Sequence, residues 1–153
     1  MIVPHAIAEV LSQALVAILN IKKNDGEIIS HPILPLYENN KIYFTSSILF
    51  SKKIEAIRKN NKVSLFINDE AGIKKKEYFP ILIKGIARID DSDIHYKWMK
   101  LLHLWKAKEP YIINYIKQRF ALPLFWERVI VEIEPLKIYA WKGDINKPPV
   151  IFE

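Results

Sequence analysis

The run Phe44-Thr45-Ser46-Ser47-Ile48-Leu49-Phe50-Ser51-Lys52-Lys53 gathers residue types that hold a phosphate. An extended segment passes through hydroxyl residues into a helix whose first turn bears two cations. A helix N-terminus already carries partial positive charge, so each lysine there is unfavourable by roughly the 0.3–1 kcal/mol that a well-placed anion contributes. A phosphomonoester dianion reverses that sign. Its ligands would be free amides at the helix start, the hydroxyls of Thr45, Ser46 and Ser51, and the ammonium groups of Lys52 and Lys53. The competing reading is that a chain with 23 Lys and Arg places some of them at helix starts by chance. Other chemistry is poorly represented. The chain has no cysteine, which excludes disulfides, thiolate metal sites and cysteine nucleophiles. His5, His31, His95 and His103 show no ligand spacing beyond the shared helical segment of the last two, so no metal site is expected. No Ser-His-Asp grouping or glycine-rich phosphate loop is evident, and only 4 glycines occur.

The elements that must position this run are mostly extended. Ala14 to Lys22 reads as a strand ending at Asn24-Asp25-Gly26, where Gly26 can take the positive φ of a tight hairpin, and Glu27 to Tyr37 follows as its partner. Pro32 and Pro35 cannot donate ladder hydrogen bonds, so the second strand should be bulged or lie at an opening, where a ligand is one candidate neighbour. Asn39-Asn40 makes the next turn and Lys41 to Thr45 a third strand. Ile54, Ile57 and Phe50 then share one face of a helix from about Ser51 to Asn60. Val63 to Asn68 and Phe79 to Ile89 read as strands around a solvated loop, Lys74-Lys75-Lys76. From Asp91 the period is helical: Asp91, Ser92 or Asp93 can cap, and Ile94, Trp98, Leu101, Leu102 and Trp105 group together. Pro110 opens a second helix carrying Tyr111, Tyr115 and Phe120, which stops before Pro123. This aromatic stripe is expected to pack the helices on the sheet or on a partner, with a ligand pocket as the alternative. Trp126 to Pro135 and Leu136 to Trp141 return to strand character. The result is a mainly β fold, a β-barrel with α-helical insertions, or an α+β domain.

The 153 residues, half of them hydrophobic and 26% charged, suit one domain with one sizeable core and exclude a disordered or fibrous chain. The longest clean apolar stretch, Ala14 to Leu19, is far short of the ~20 residues that span a bilayer. No charged segment precedes an apolar one at Met1-Ile2-Val3-Pro4, so a soluble, cytoplasmic protein with no membrane partner is expected. The formal charge of +6 favours anionic partners without choosing among them.

The order of features resembles the pyridoxamine 5′-phosphate oxidase-like FMN-binding split-barrel family. The matching pieces are a first strand ending in Asp25-Gly26, a proline-bearing Ser30-His31-Pro32-Ile33, a third strand closing as Tyr43-Phe44-Thr45, and Ser51-Lys52-Lys53. Asn60-Asn61-Lys62-Val63-Ser64-Leu65, Ile83-Lys84-Gly85-Ile86-Ala87 and Trp141-Lys142-Gly143 also resemble family segments. The likeness covers residues 10–91 and 126–143 and leaves a helical insert at about 92–122. It implies one domain over residues 1–153, a six-stranded Greek-key split barrel that forms a homodimer with FMN at the subunit interface. Phe44, Thr45, Ser51, Lys52 and Lys53 would then surround the phosphate. The backbone from Ser30 through His31 and Pro32 to Ile33 would lie along the isoalloxazine edge, Lys84 would place a charge near the ring, and Trp141 would approach from the partner subunit.

Two departures stand out. Ser30 occupies the place where the oxidase branch has an arginine, and Asp144-Ile145-Asn146-Lys147-Pro148-Pro149 lacks the arginine and histidine that grip pyridoxine phosphate there. The expected function is therefore FMN-dependent oxidoreduction of an unidentified small molecule, with a deazaflavin as the alternative cofactor. No catalytic acid or base is assigned, because flavin chemistry belongs to the cofactor. The competing classes are a basic nucleic-acid-binding barrel, which is disfavoured, and a dimer that has lost its cofactor.

Overall fold

Ile7, Val10, Leu11 and Ala14 repeat at helical spacing behind Pro4, and they form one face of a helix, α1 (His5–Gln13), that the strand-led sequence reading does not include. All four are fully buried. The structure is a computed structural model that describes residues 1–49, 51–118 and 126–153. The expected places of Phe50 on a helix face, of Phe120, and of a helix stop before Pro123 lie outside the described residues.

The expected hairpins form where the turn chemistry puts them. β1 (Ala17–Lys22) and β2 (Ile28–Ile33) pair antiparallel across a turn in which Gly26 has φ +90°. β3 (Leu36–Glu38) and β4 (Lys41–Ser47) pair across Asn39 and Asn40, whose φ values are 52° and 61°. Pro35 falls between β2 and β3 and divides the single second strand expected there. Pro32 stays within β2, opposite Ile18, on an edge strand, the place in a sheet that tolerates a residue without an N–H. Next come α2 (Lys52–Lys59), β5 (Lys62–Ile67), β6 (Ile81–Asp90), β7 (Arg128–Ala140) and β8 (Val150–Phe152).

The strands join into one sheet in the order β2-β1-β5-β6-β7-β4-β3, with β8 added to β7, curled into a half-barrel. Among the described residues eight strands stand in place of the expected six, because Pro35 splits one run and the segment after Pro149 adds another. The two segments expected on either side of Pro135-Leu136 are one strand. The register against β6 shifts there, with Lys84 opposite Lys137 and Gly85 opposite Pro135, so Leu136 bulges outward. Gly85 permits this: a Cβ at that position would lie 2.5 Å from the Glu134 carbonyl oxygen.

β7 is buried on both faces. Val129, Val131 and Ile133 enter the main core with α1, α2 and the inner residues of the other strands. Ile130 faces the other way into a second core with Leu36, Trp98, Leu101, Trp105, Ile112 and Trp126. That second core is the seat of the insert, which comprises a 3₁₀ helix (Lys97–Leu101), α3 (Leu102–Lys108) and α4 (Ile112–Ile116). Asp93 Oδ1 accepts from the His95 and Tyr96 amides ahead of it. Trp98 stacks on Trp126 with ring centres 5.5 Å apart and meets Trp105 edge-on at 6.3 Å. The packing expected of the aromatic stripe holds for Trp98 and Trp105, whereas Tyr111 and Tyr115 are exposed. Among the described residues no helix is long and apolar enough to cross a membrane, and no group of His, Cys, Asp or Glu is arranged to hold a metal.

Gly85→Ala forces its methyl against the β7 backbone, which has no room to give without breaking the bulge. It should lower stability by roughly 1–3 kcal/mol, the cost of overpacking a well-packed site. Urea denaturation monitored by tryptophan fluorescence measures it, and an unchanged midpoint would contradict the packing described.

Candidate cofactor-binding site

Strand alternation decides which residues at the end of β4 can reach a ligand. Phe44 and Ser46 point inward, with the Phe44 side chain in the main core, whereas Thr45 points to the other side. The strand ends at Ser47, and Ser51 caps α2, its Oγ accepting from the Ile54 amide at 3.4 Å and lying 3.2 Å from Ser46 Oγ. Both serine hydroxyls are thus engaged at the helix start. The two lysines that follow diverge. Lys52 is exposed and lines a depression of about 520 Å³ under the β1–β2 hairpin with Lys23, Asp25 and Glu27. Lys53 is partly buried and faces a smaller hollow of about 200 Å³.

That hollow contains a cation absent from the sequence-level site. Arg128, the first residue of β7, is 9% exposed. Its Nε donates to Thr45 Oγ1 and a terminal nitrogen to the Thr45 carbonyl oxygen, each at 2.9 Å. The guanidinium carbon lies 5.2 Å from the centre of the Trp105 ring, a cation–π contact that holds the group's plane. Burial lowers the Arg128 pKa to about 10. Burial, and then the nearby Arg128 charge, lower that of Lys53. Pro32, Ile33, Leu34 and Leu36 complete the lining, and none of the described lining residues is acidic. Two cations therefore share one partly desolvated hollow, with no carboxylate among its described lining residues. The one available sequence signal was a charged residue, Arg128, heading an otherwise apolar run.

The remaining candidates fall into three places. On β2, His31 is partly buried, and its pKa is lowered by burial and then by Lys53 and Lys52. Ser30 Oγ donates to Asn20 Oδ1 at 2.6 Å, and Pro32 and Ile33 border the hollow. Lys84 stands elsewhere, exposed on the outer face of β6, opposite Ser64 and Lys137, with its Nζ 5.2 Å from the Tyr139 ring centre. Trp141 follows the last residue of β7, so it lies at the opposite end of a 13-residue strand from Arg128. At about 3.3 Å per residue that is roughly 40 Å along the chain, outside the hollow of its own protomer.

One further feature borders the hollow. Pro32, Ile18, Phe66, Leu82, Tyr139 and Ile151 occupy successive register positions across six adjacent strands. They form an apolar row on the outer face, and none of them belongs to either core. Pro32 lines the hollow and begins this row, so the cation pair opens beside an uncovered apolar stripe.

The charge placement has a direct spectroscopic consequence. His31 should titrate below the ordinary histidine value of 6.5 in an NMR pH series. Lys53→Ala should raise that pKa, because removing a neighbouring cation favours the imidazolium. A His31 titration unmoved by Lys53→Ala would separate the two groups.

No family model and no curated protein matches the chain. Solved structures do. An F420 reductase has a TM-score of 0.63 at 16% identity, covering 89% of this chain and 98% of that one. A putative pyridoxamine 5′-phosphate oxidase from Listeria innocua has a TM-score of 0.54 at 18% identity, covering 90% and 96%. A FAD-binding protein from Mesorhizobium loti has a TM-score of 0.59 at 19% identity, covering 89% and 92%. At such identities the likeness is one of architecture, and the curled antiparallel sheet with its capped α2 and edge-strand proline has the split-barrel fold of the pyridoxamine 5′-phosphate oxidase-like proteins.

Proposed function

We propose that the protein binds FMN and uses it to oxidise or reduce a small molecule, working as a homodimer with the cofactor in the cleft between protomers. The observation that carries this reading is that Lys53 and Arg128 line one hollow with no acidic residue among its described lining. Two like charges brought together in a partly desolvated place repel, and a phosphate dianion between them turns that repulsion into attraction.

The residues present fit such a group in kind and in size. Lys53 offers a rotatable ammonium and Arg128 a planar guanidinium already oriented by Thr45 and Trp105. The hollow of about 200 Å³ is smaller than the roughly 300–1,000 Å³ of pockets that enclose a whole ligand, so it suits a phosphate whose ring system extends beyond it. Pro32 and Ile33 at its rim direct that extension along β2 and toward the apolar row, where a second protomer would complete the cleft. When bound, the isoalloxazine supplies the hydride or electron transfer. The chain's own contribution is to hold the phosphate with Lys53 and Arg128 and to leave the backbone of Ser30 to Ile33 facing the ring, on an edge strand where Pro32 has no N–H to donate. A phosphorylated deazaflavin offers the same anion, and the absorbance band that copurifies with the protein distinguishes the two.

Titration of flavin fluorescence tests the site. Lys53→Ala and Arg128→Met should each weaken FMN binding by about tenfold or more, since a charge-assisted hydrogen bond contributes roughly 1.5–3 kcal/mol. Lys52→Ala, on the neighbouring depression, should change affinity by less than about threefold, the range of a screened surface charge. A protein that neither quenches FMN fluorescence nor turns yellow with excess FMN would refute the proposal. The assembly is tested separately: Phe66→Glu places a charge in the middle of the apolar row and should convert a sedimenting dimer to a monomer. A wild-type chain that already sediments as a monomer would remove the shared cleft.

A further inference from the structure

Lys108, the last residue of α3, does not line the hollow, yet all three of its ammonium donors are spent on backbone oxygens. Nζ donates to the Leu11 and Ala14 carbonyl oxygens, each at 2.7 Å, and to that of Pro35. Leu11 lies in the last turn of α1 and Ala14 is its C-cap, where carbonyls lack helical partners. Pro35 forms the turn between β2 and β3, and its neighbours Leu34 and Leu36 both line the hollow. One side chain thus ties the insert to α1 and to a wall of the candidate site.

The same short helix supplies the opposite wall. Trp105 precedes Lys108 by three positions, so the two side chains share a face of α3. Trp105 Nε1 donates to Glu109 Oε2 at 2.7 Å, which sets the indole's orientation, while its ring meets Arg128. We infer that Lys108 is a positioning residue for the anion hollow: it anchors α3 to the β2–β3 turn, and through α3 it holds the Trp105 ring against the Arg128 guanidinium. This rests on the functional reading above only for the identity of the anion. Burial pushes the Lys108 pKa down to about 7. The three acceptors favour the ammonium, because a neutral amine keeps only two N–H donors for three carbonyls. The role therefore belongs to the charged form, and a neutral side chain of similar length removes it.

The experiment compares the wild-type chain with Lys108→Met in two readouts, FMN affinity by fluorescence quenching and the Arg128 Nε–H resonance by NMR. In the wild type the Trp105 ring, 5.2 Å from the guanidinium carbon, should displace that resonance by its ring current. Lys108→Met is expected to bind FMN at least tenfold more weakly and to lose the displacement, while the amide resonances of β5 and β6 stay in place. Wild-type affinity with an unmoved Arg128 resonance overturns the inference, and so does weaker binding with that resonance unmoved. Should Lys108→Met fail to fold, Trp105→Leu carries the test, because it leaves the three carbonyl bonds intact. It should weaken FMN binding at least fivefold, and unchanged affinity overturns the inference. If the wild type binds no FMN, the functional reading falls, and the Arg128 resonance alone decides whether Lys108 positions the guanidinium.

Discussion

The buried guanidinium of Arg128 is the group to which the rest of the candidate site refers. It sits at the head of β7, bonded to both the hydroxyl and the carbonyl of Thr45 and covered on one side by Trp105. A cation taken this far out of water is expensive unless each donor finds an oxygen and each face a partner. The sheet meets part of that demand by pairing Ser47 with Arg128 and Thr45 with Ile130, which brings the β4 hydroxyl within reach. Lys53 approaches from the start of α2, and its own charge is disfavoured by burial and by Arg128. An anion between the two would relieve both penalties, which is the physical basis of the function proposed above.

Around this pair the hollow is assembled from segments far apart in the chain. The β2–β3 turn, the end of β4, the first turn of α2, the start of β7 and α3 each contribute a side. What holds them together is the two-sided burial of β7, whose alternate residues feed the main core and the core beneath the insert. The insert is therefore more than a decoration on a barrel. Its tryptophans bury the outer face of β7, and Trp105 also lines the hollow, so one side chain serves both the second core and the candidate site.

Much of the fold was readable from residue types because its turns rest on local chemistry. Gly26, Asn39 and Asn40 take the positive φ expected of them, and Ser51 caps α2. Pro32 marks an edge strand because a residue without an N–H is tolerated there. Elsewhere the reading went astray for identifiable reasons. The helical spacing of Ile7, Val10, Leu11 and Ala14 that gives α1 is obscured in the sequence by the β-branched run that follows Ala14. Pro135-Leu136 looked like a strand end, whereas Gly85 on the facing strand leaves room for a bulge, and no local signal in β7 discloses the glycine across from it.

The sequence by itself determined the mainly β class, the positions of the hairpins, the capped helix after a run of hydroxyls and the exclusion of thiol chemistry, because each depends on residues within a few positions of one another. Only the tertiary structure decided that Lys52 and Lys53 part company, that Phe44 turns into the core, that Lys84 and Trp141 stand away from the hollow of their own protomer, and that Arg128 joins Lys53. Those outcomes follow from sheet register and from which face each strand presents. Both are settled by burial over the whole chain rather than by the residues beside the site.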